Sequence, residues 1–174
     1  MQEMVRRAQH GDQEAFIALM ERHQQALWRA AMATLKNPDD AADAMQETVL
    51  EAWKNLRRLT EETYLSTWLT RILLYNCYDI LRRRKRETPV EQWPETGKTQ
   101  ERDEALDVRK AMGVLAKNDR LLLTLFYCND LPVKQIARIL DIREGAVRVR
   151  LVRARERFRA VYEQTERSGE HEAI

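Results

Sequence analysis

The amino-acid sequence predicts an all-α protein of two small helical domains joined by a flexible linker, the second domain containing a helix-turn-helix. Apolar residues recur at helical spacing along nearly the whole chain. Only 5 glycines and 4 prolines occur in 174 residues, which favours long helices. Residues 87–103 hold two prolines and one glycine with few core-forming side chains, a composition typical of a linker. We therefore expect one domain over 1–86, another over 104–164, and a frayed polar tail over 165–174.

The first two predicted helices are delimited by turn and capping residues. The first ends at Gly11, and Asp12 is placed to cap the second. The second helix stops at Asn37-Pro38, because proline cannot continue a helix. Its apolar stripe consists of Phe16, Leu19, Met20, Leu27, Ala30 and Ala31.

A third and a fourth helix complete the predicted first domain. Asp39 or Asp40 is expected to cap the third. Its inward positions are Ala42, Met45, Val49, Ala52, Trp53 and Leu56. Turn-like residues at 57–67 precede the fourth helix, which begins near position 66 or 67 and continues into the basic run at 82–86.

The second domain begins with two predicted helices and ends in a helix-turn-helix. The first follows the spacing of Ala105, Val108, Met112 and Leu115. The next starts after Asn118-Asp119 and ends near Cys128. A short helix with Pro132 in its first turn, a three-residue turn at 141–143 and a long arginine-rich helix then form the helix-turn-helix arrangement.

Composition and motif content exclude several classes of function. The longest apolar run, at 121–126, is far too short to span a bilayer, and no export leader opens the chain. Cys77 and Cys128 are expected to be buried free thiols, and the three histidines have no metal-ligand spacing. Nucleotide-binding and hydrolase motifs are absent from the sequence. We expect a soluble cytoplasmic protein without enzymatic activity, cofactor, metal or small-molecule substrate.

The net charge of +2 conceals blocks of opposite sign. Residues 39–51 contain five acids and no base, residues 82–86 read RRRKR, and residues 143–159 contain seven arginines and two acids. Any one block can be a solvated helix face. Together they indicate two anion-binding surfaces and one surface for a basic protein partner.

The last helix is predicted to bind duplex DNA. At 100° per residue, Val147, Leu151, Ala154 and Phe158 share the core-facing side. Val149 and Val152 then project outward among arginines, although valine is a poor choice for an exposed helix position. Arginine pairs with guanine edges and phosphates, while valine methyls pack on thymine methyls in a major groove. Lys134 and Gln135 on the preceding helix are expected to reach phosphates. The alternative is a solvated face.

The first domain carries two further candidate surfaces. Aromatic residues flank the small-residue loop at 64–68, just before the helix that ends in RRRKR, and aromatic rings beside cations suit single-stranded nucleic acid. Trp68 is expected in the core, and Tyr64 is either a core or a binding residue. Asp43, Gln46 and Glu47 project together from the third helix, which suits docking on a basic protein; a solvated face with an acidic first turn is the alternative.

These segments together resemble the extracytoplasmic-function (ECF) class of bacterial sigma factors over nearly the whole chain. The resemblance rests on LKNPDDAADAMQETVLEAWKNL, STWLTRILLYNCYDILRRRKR and LPVKQIARILDIREGAVRVRLVRARERF, in this order. It implies that 1–86 is a region 2 domain and 104–164 a region 4 domain, with the linker threading through the polymerase. It implies as partners core RNA polymerase (its beta-prime clamp helices and beta subunit), promoter DNA and an anti-sigma factor.

The resemblance also assigns roles to residues. The polymerase-binding residues are Asp43, Gln46 and Glu47. The −10 DNA-binding residues are Tyr64, Ser66, Thr67, Arg71, Asn76, Asp79, Arg82, Arg83, Arg84, Lys85 and Arg86. The −35 DNA-binding residues are Lys134, Gln135, Arg143, Arg148, Val149, Arg150, Val152 and Arg153. Arg143 and Asp141 stand where the family often has a capping serine and a turn glycine. Aspartate tolerates left-handed geometry better than most residues, so we expect the turn to form. The −35 sequence stays open, because the reading positions vary between family members.

Two other interpretations compete with a sigma factor. One is a one-component helix-turn-helix regulator that binds duplex DNA without polymerase; the other is a helical adaptor with incidental basic faces. A regulator of that kind needs a ligand-sensing or dimerising first domain, and the sequence contains no coiled-coil seam. An acidic docking face followed by an aromatic loop and RRRKR fits only the sigma factor.

Overall fold

The computed structural model describes residues 1–87 and 104–171. The first group of helices is α1 (Gln2–Gln9), α2 (Gln13–Leu35), α3 (Pro38–Asn55) and α4 (Leu65–Glu87), with 3-10 turns at Leu56–Arg58 and Glu62–Tyr64. The second is α5 (Glu104–Val114), α6 (Lys117–Leu123), α7 (Val133–Leu140) and α8 (Glu144–His171). A π-helical segment, Thr124–Cys128, extends α6. The described ranges contain no strand, so the all-α, two-domain fold class with a helix-turn-helix is confirmed; the predicted linker lies outside the described residues.

Helix starts follow the predicted capping chemistry with one exception. The Asp12 carboxylate accepts the Ala15 amide at 3.0 Å, as predicted. At α3 the cap is Asn37, whose side-chain oxygen accepts the Asp40 amide at 3.0 Å. The expected cap at Asp39 or Asp40 is wrong, because Pro38 already occupies the first helical position, where its missing N–H costs nothing.

Helix α3 buries a stripe of small residues. These residues precede the predicted inward positions by one residue in the sequence. Its buried residues include Ala41, Ala44, Thr48 and Ala52. Met45 and Val49 are only half-buried, and Trp53, expected in the core, is exposed and packs edge-on against Phe16 with ring centroids 4.9 Å apart. Since α3 packs against both α2 and α4, small side chains let the helix axes approach closely, and the larger ones move to the margins.

In the second domain the long helix α8 rests on three other helices. Helix α8 packs against α5, α6 and α7, and Val147, Leu151 and Ala154 are buried in that contact. Asp141 has a left-handed conformation (φ 54°), as the sequence predicted for this turn. Cys128, expected to be buried, is exposed. Helix α8 continues to His171, through most of the segment expected as a tail.

The two domains pack on each other. Helix α2 contacts α6 and the π-helical segment, while α4 contacts α7. Buried apolar residues of both domains form one continuous core cluster. This contact positions the first helix of the helix-turn-helix against the start of α4.

Candidate nucleic-acid and protein interfaces

The outer face of α8 presents apolar and cationic groups together. Val149 is 51% exposed and Val152 is 47% exposed, as the helical spacing predicted. The surrounding arginines are also exposed: Arg143, Arg148, Arg150 and Arg153. An ion pair between Arg157 and Asp119, at 2.7 Å, ties α8 to α6. The helix therefore offers a surface of methyl groups and guanidinium groups together, a combination that suits the base edges and phosphates of a major groove.

The acidic face of α3 is continued by apolar side chains. Asp43, Gln46 and Glu47 are exposed. Leu50, one turn further along, is 52% exposed, and Trp53 follows it. Protein interfaces combine apolar or aromatic anchors with a polar rim, so this surface has the composition of a docking site. Sequence reasoning missed Leu50, although its spacing of three and four residues from Glu47 and Gln46 places it on the same face.

The outer side of α4 contains cations held in ion pairs. Asp79 pairs with Arg82 at 3.1 Å and with Arg83. Hydrogen bonds from Arg82, then from Arg83, lower the pKa of the Asp79 carboxyl, which keeps it ionised. The Arg82 guanidinium also lies 5.8 Å from the ring centroid of the exposed Tyr75. Arg71, Lys85 and Arg86 are exposed.

Arg84 has a structural partner within the first domain. Its Nη2 donates to Oδ1 of Asp40 at 2.6 Å, linking α4 to α3. Asp40 is 8% exposed, and its Oδ2 is the buried side-chain oxygen without a hydrogen bond in the described part of the chain. Burial raises the pKa of the Asp40 carboxyl, an effect that the Arg84 charge partly offsets. Arg84 was expected on DNA; here it neutralises a buried carboxylate.

Two other residues expected to contact the −10 strand are buried. The Asn76 amide donates to Thr48 Oγ1 at 3.3 Å between α4 and α3. Thr67 is buried at the start of α4, where its hydroxyl donates to Gln135 Oε1 at 3.4 Å. Ser66 is half-buried and its carbonyl accepts the Thr70 hydroxyl at 2.8 Å. In this conformation neither Asn76 nor Thr67 reaches a base.

Helix α7 covers the aromatic loop of the first domain. The Arg138 guanidinium lies 3.9 Å from the ring centroid of Tyr64, and Gln135 meets Thr67. Nearby, Lys117 Nζ lies 4.9 Å from the ring centroid of Tyr78. Lys134 stays exposed. The structure thus brings together residues expected to bind the −10 element and residues expected to bind the −35 element. No local sequence pattern predicts this contact.

Two negative findings concern the described residues alone. Nowhere in 1–87 and 104–171 do three or more potential metal ligands cluster. Over the same ranges no helix combines the length and apolar character needed to cross a membrane.

Comparisons with known proteins agree with this arrangement of domains. Residues 13–87 match the Sigma-70 region 2 family, and residues 105–158 match the Sigma-70, region 4 family. The chain is 33% identical over 151 residues to the ECF RNA polymerase sigma factor SigM of Mycobacterium tuberculosis, covering 85% of this chain and 77% of the relative.

Two solved structures share the fold. CnrH in complex with the cytosolic domain of CnrY matches with a TM-score of 0.72 and 26% identity, over 92% of this chain and 96% of the other. The sigma factor RpoE in complex with the anti-sigma factor NepR, from Bartonella quintana, matches with a TM-score of 0.72 and 23% identity, over 85% and 96%. At 23% identity, the likeness to RpoE concerns the fold alone.

Proposed function

Because the chain belongs to the ECF sigma factors, we propose that its α3 face binds core RNA polymerase while α4 and α8 read promoter DNA. The protein is an alternative sigma factor for transcription initiation. The observation that carries the proposal is the presence of an acidic and apolar face on one domain and a cationic, valine-bearing helix on the other. A regulator that only binds duplex DNA needs the second surface and not the first.

The polymerase surface consists of Asp43, Gln46, Glu47 and the neighbouring Leu50. The carboxylates complement a basic partner and steer its approach, while the exposed Leu50 supplies apolar area that becomes buried on docking. The resemblance implies that this partner is the beta-prime clamp helices, with a further contact to the beta subunit. The fold does not depend on the acidic, amide or apolar side chains of this surface, because they point away from the core.

The −35 surface is the exposed face of α8. Arg148 and Arg153 flank the two valines, so guanidinium forks can meet guanine edges while the methyl groups meet thymine. Arg143 and Arg150 lie beside them and suit phosphate contacts, as does Lys134 of α7. The combination supports readout of duplex DNA by a single helix.

The −10 surface combines the loop before α4 with the exposed side of that helix. Tyr64 offers a ring for stacking, Ser66 offers a hydroxyl group, and Arg71 with Lys85 and Arg86 offers charge along the strand. Thr67 is buried and supports this loop through its hydrogen bond to Gln135. We retain Asp79, Arg82 and Arg83 in this set because their ion pairs are exposed and exchangeable. Asn76 and Arg84 support the same surface from within, through Thr48 and Asp40.

The neighbouring structures suggest a regulatory partner. CnrH was solved in complex with the cytosolic domain of CnrY, and RpoE in complex with the anti-sigma factor NepR. By this analogy we assign an anti-sigma factor to this chain, a cytoplasmic location, and a role as a binding subunit without enzymatic activity, cofactor or small-molecule substrate.

Co-elution with core RNA polymerase tests the proposal. The wild-type protein should co-elute on size exclusion, and the variant Asp43→Ala/Gln46→Ala/Glu47→Ala should not. A matched control, Glu14→Ala/Glu21→Ala/Gln24→Ala, also removes two carboxylates and one amide, in this case from exposed positions on α2. This control should co-elute normally. Failure of the wild type to co-elute, with tight binding to duplex DNA by the protein alone, would instead support a one-component regulator.

A further inference from the structure

We propose that helix α1 braces the connection between α3 and α4 (residues 56–64), with Gln9 and Arg6 as positioning residues for promoter opening. We call these contacts the α1 brace; they join the two side chains to the segment that leads directly into the −10 reading loop. Helix α1 precedes the range 13–87 that matches the region 2 family. The inference rests on the proposed function, because it assumes that the Tyr64–Thr67 loop binds single-stranded DNA.

Helix α1 is fixed to its domain by two buried residues and by the turn that follows it. An isolated helix of 8 residues is marginal in water, so α1 depends on contacts with the rest of the domain. Val5 is 0% exposed and Ala8 is 4% exposed, and both belong to the core cluster. The turn is a Schellman motif, in which the Asp12 amide donates to the Arg7 carbonyl at 3.1 Å and the Gly11 amide to the Ala8 carbonyl at 3.0 Å. Gly11 supplies the left-handed conformation that this motif requires, with φ 95°.

The Gln9 side chain clamps the start of the connection. Its Nε2 donates to the Leu56 carbonyl at 3.1 Å and to the Leu59 carbonyl at 2.8 Å. A primary amide has two N–H donors, so both are used on the backbone of one 3-10 turn. In return, Arg57 Nε donates to the Gln9 carbonyl at 3.1 Å. Three hydrogen bonds therefore join the last residue of α1 to a segment 47 to 50 positions away.

Arg6 holds the other end of the connection. Its Nε lies 2.8 Å from Glu62 Oε1, and the Glu62 side chain is 16% exposed. Glu62 begins the 3-10 turn Glu62–Tyr64, whose last residue carries the ring expected to stack on a base. The brace therefore contacts the connection at both of its 3-10 turns, one turn of α1 apart.

A fixed connection favours the capture of an unpaired base. A flexible loop loses conformational entropy when it orders around a ligand. Its apparent affinity also falls in proportion to the fraction of molecules in the binding-competent form. Because Gln9 bonds to backbone carbonyls, it sets the path of the chain toward Tyr64 whatever the side chains between them do. The brace thus promotes opening of the −10 element without touching DNA.

Hydrogen exchange tests whether Gln9 holds the connection. The full-length wild type is compared with Gln9→Met and with a matched control, Gln2→Met, which makes the same change at an exposed position of α1. Methionine keeps the length of the side chain and removes both donors. The reporters are the Leu59 and Tyr64 amides, each hydrogen-bonded within the connection at 3.0 Å. Mass spectrometry should find about fivefold faster exchange at these amides in Gln9→Met, wild-type rates in Gln2→Met, and unchanged rates in α2, α3 and α4 of both.

Promoter opening is measured on holoenzyme reconstituted with core RNA polymerase. A duplex is first selected from a randomised library by its retention on the wild-type holoenzyme, and permanganate reactivity of its thymines then reports opening. Gln9→Met should open this duplex about fivefold less than the wild type. It should transcribe as well as the wild type from the same promoter mismatched over the −10 segment, where the cost of unpairing the base is removed. A role in overall stability would instead lower activity on both templates alike.

A charge exchange tests the second contact. Arg6→Glu should speed the exchange of the Tyr64 amide about twofold, a small effect because the Arg6 side chain is 62% exposed. Adding Glu62→Arg to Arg6→Glu restores an opposite pair at the same place and should return the rate to that of the wild type.

Three outcomes would each overturn the inference: unchanged exchange in Gln9→Met, unchanged opening of the duplex, or an equal loss on the duplex and mismatched templates. Co-elution of the wild type with core polymerase, measured on the same samples, reports the proposed function separately. A wild type that fails to co-elute refutes the function, whereas faster exchange in Gln9→Met would still support the brace as the contact that fixes this connection.

Discussion

Replacement of Arg84 by alanine tests whether this residue of the basic run stabilises the fold. In the structure Arg84 donates to Asp40 at 2.6 Å, and Asp40 is buried with one oxygen unbonded. Removing one partner of a fully buried pair costs about 3–5 kcal/mol, whereas an exposed pair is worth about 0–1 kcal/mol. Because the Arg84 side chain is 40% exposed, we expect a loss of about 1–2 kcal/mol. For a chain of this size that lowers the Tm by about 3–6 °C.

Thermal unfolding followed by circular dichroism measures this effect, and two variants make it specific. Arg83→Ala removes the neighbouring charge, which pairs with Asp79 at the surface, and should change the Tm by less than about 2 °C. In an Asp40→Asn background the carboxylate is absent, so Arg84→Ala should cost little. Equal losses from Arg84→Ala in both backgrounds would refute the reasoning.

The same pair predicts a pH dependence of definite sign. Burial raises the folded-state pKa of Asp40, so the folded state binds this proton more tightly than the unfolded state. The contribution of Asp40 is therefore most favourable at low pH and is lost as pH rises from about 3.9 through the folded pKa. Arg84→Ala removes the compensating cation and raises that pKa further. Its deficit relative to wild type should be largest near pH 7 and shrink as the pH is lowered toward 5.

Four further predictions concern the interfaces and the turn. Arg153→Ala should weaken binding of the isolated protein to −35 duplex by about 1–3 kcal/mol in fluorescence anisotropy, and an unchanged sequence preference would remove Arg153 from the reading set. Leu50→Ala should reduce affinity for core polymerase without changing the Tm, since Leu50 is 52% exposed; Val114→Ala, at 67% exposure on the other domain, is the control. Asp141→Gly should raise the Tm, because glycine adopts the left-handed conformation at φ 54° with about 1 kcal/mol less strain; an unchanged or lower Tm would contradict this. Asn76→Ala should lower the free energy of unfolding by about 1–2 kcal/mol through its lost buried hydrogen bond, and permanganate footprints below the new Tm should show weaker −10 opening; normal opening would leave Asn76 a purely structural role.

Local periodicity predicted most of the secondary structure and the surface of α8. The apolar spacing of that helix identified Val147 and Leu151 as buried, and it left Val149 and Val152 outside, as observed. Apolar spacing was a less accurate guide to the buried side of α3, where alanine and threonine form the buried stripe. Small residues carry a weak hydrophobic signal, so periodicity followed the larger Met45 and Trp53, which lie at the margins.

Charge patterning located the basic run and could not distinguish its members. Arg84 and Lys85 are neighbours in sequence, yet one neutralises a buried carboxylate 44 positions away and the other is exposed. Which cation meets a carboxylate depends on how α4 crosses α3. The direction of the crossing is a property of packed helices and is absent from any short window of sequence.

The sequence by itself determined the helical fold class, the order of the domains, the helix-turn-helix and the outward valines of α8, because each depends on residues within a few turns of one another. Only the tertiary structure decided that Asn76 and Arg84 support α4 from within, and that Gln135 and Arg138 of α7 lie on Thr67 and Tyr64. The physical reason is that helical spacing specifies which side of a helix a residue faces, whereas the partner on that side is selected by contacts between residues far apart in the chain.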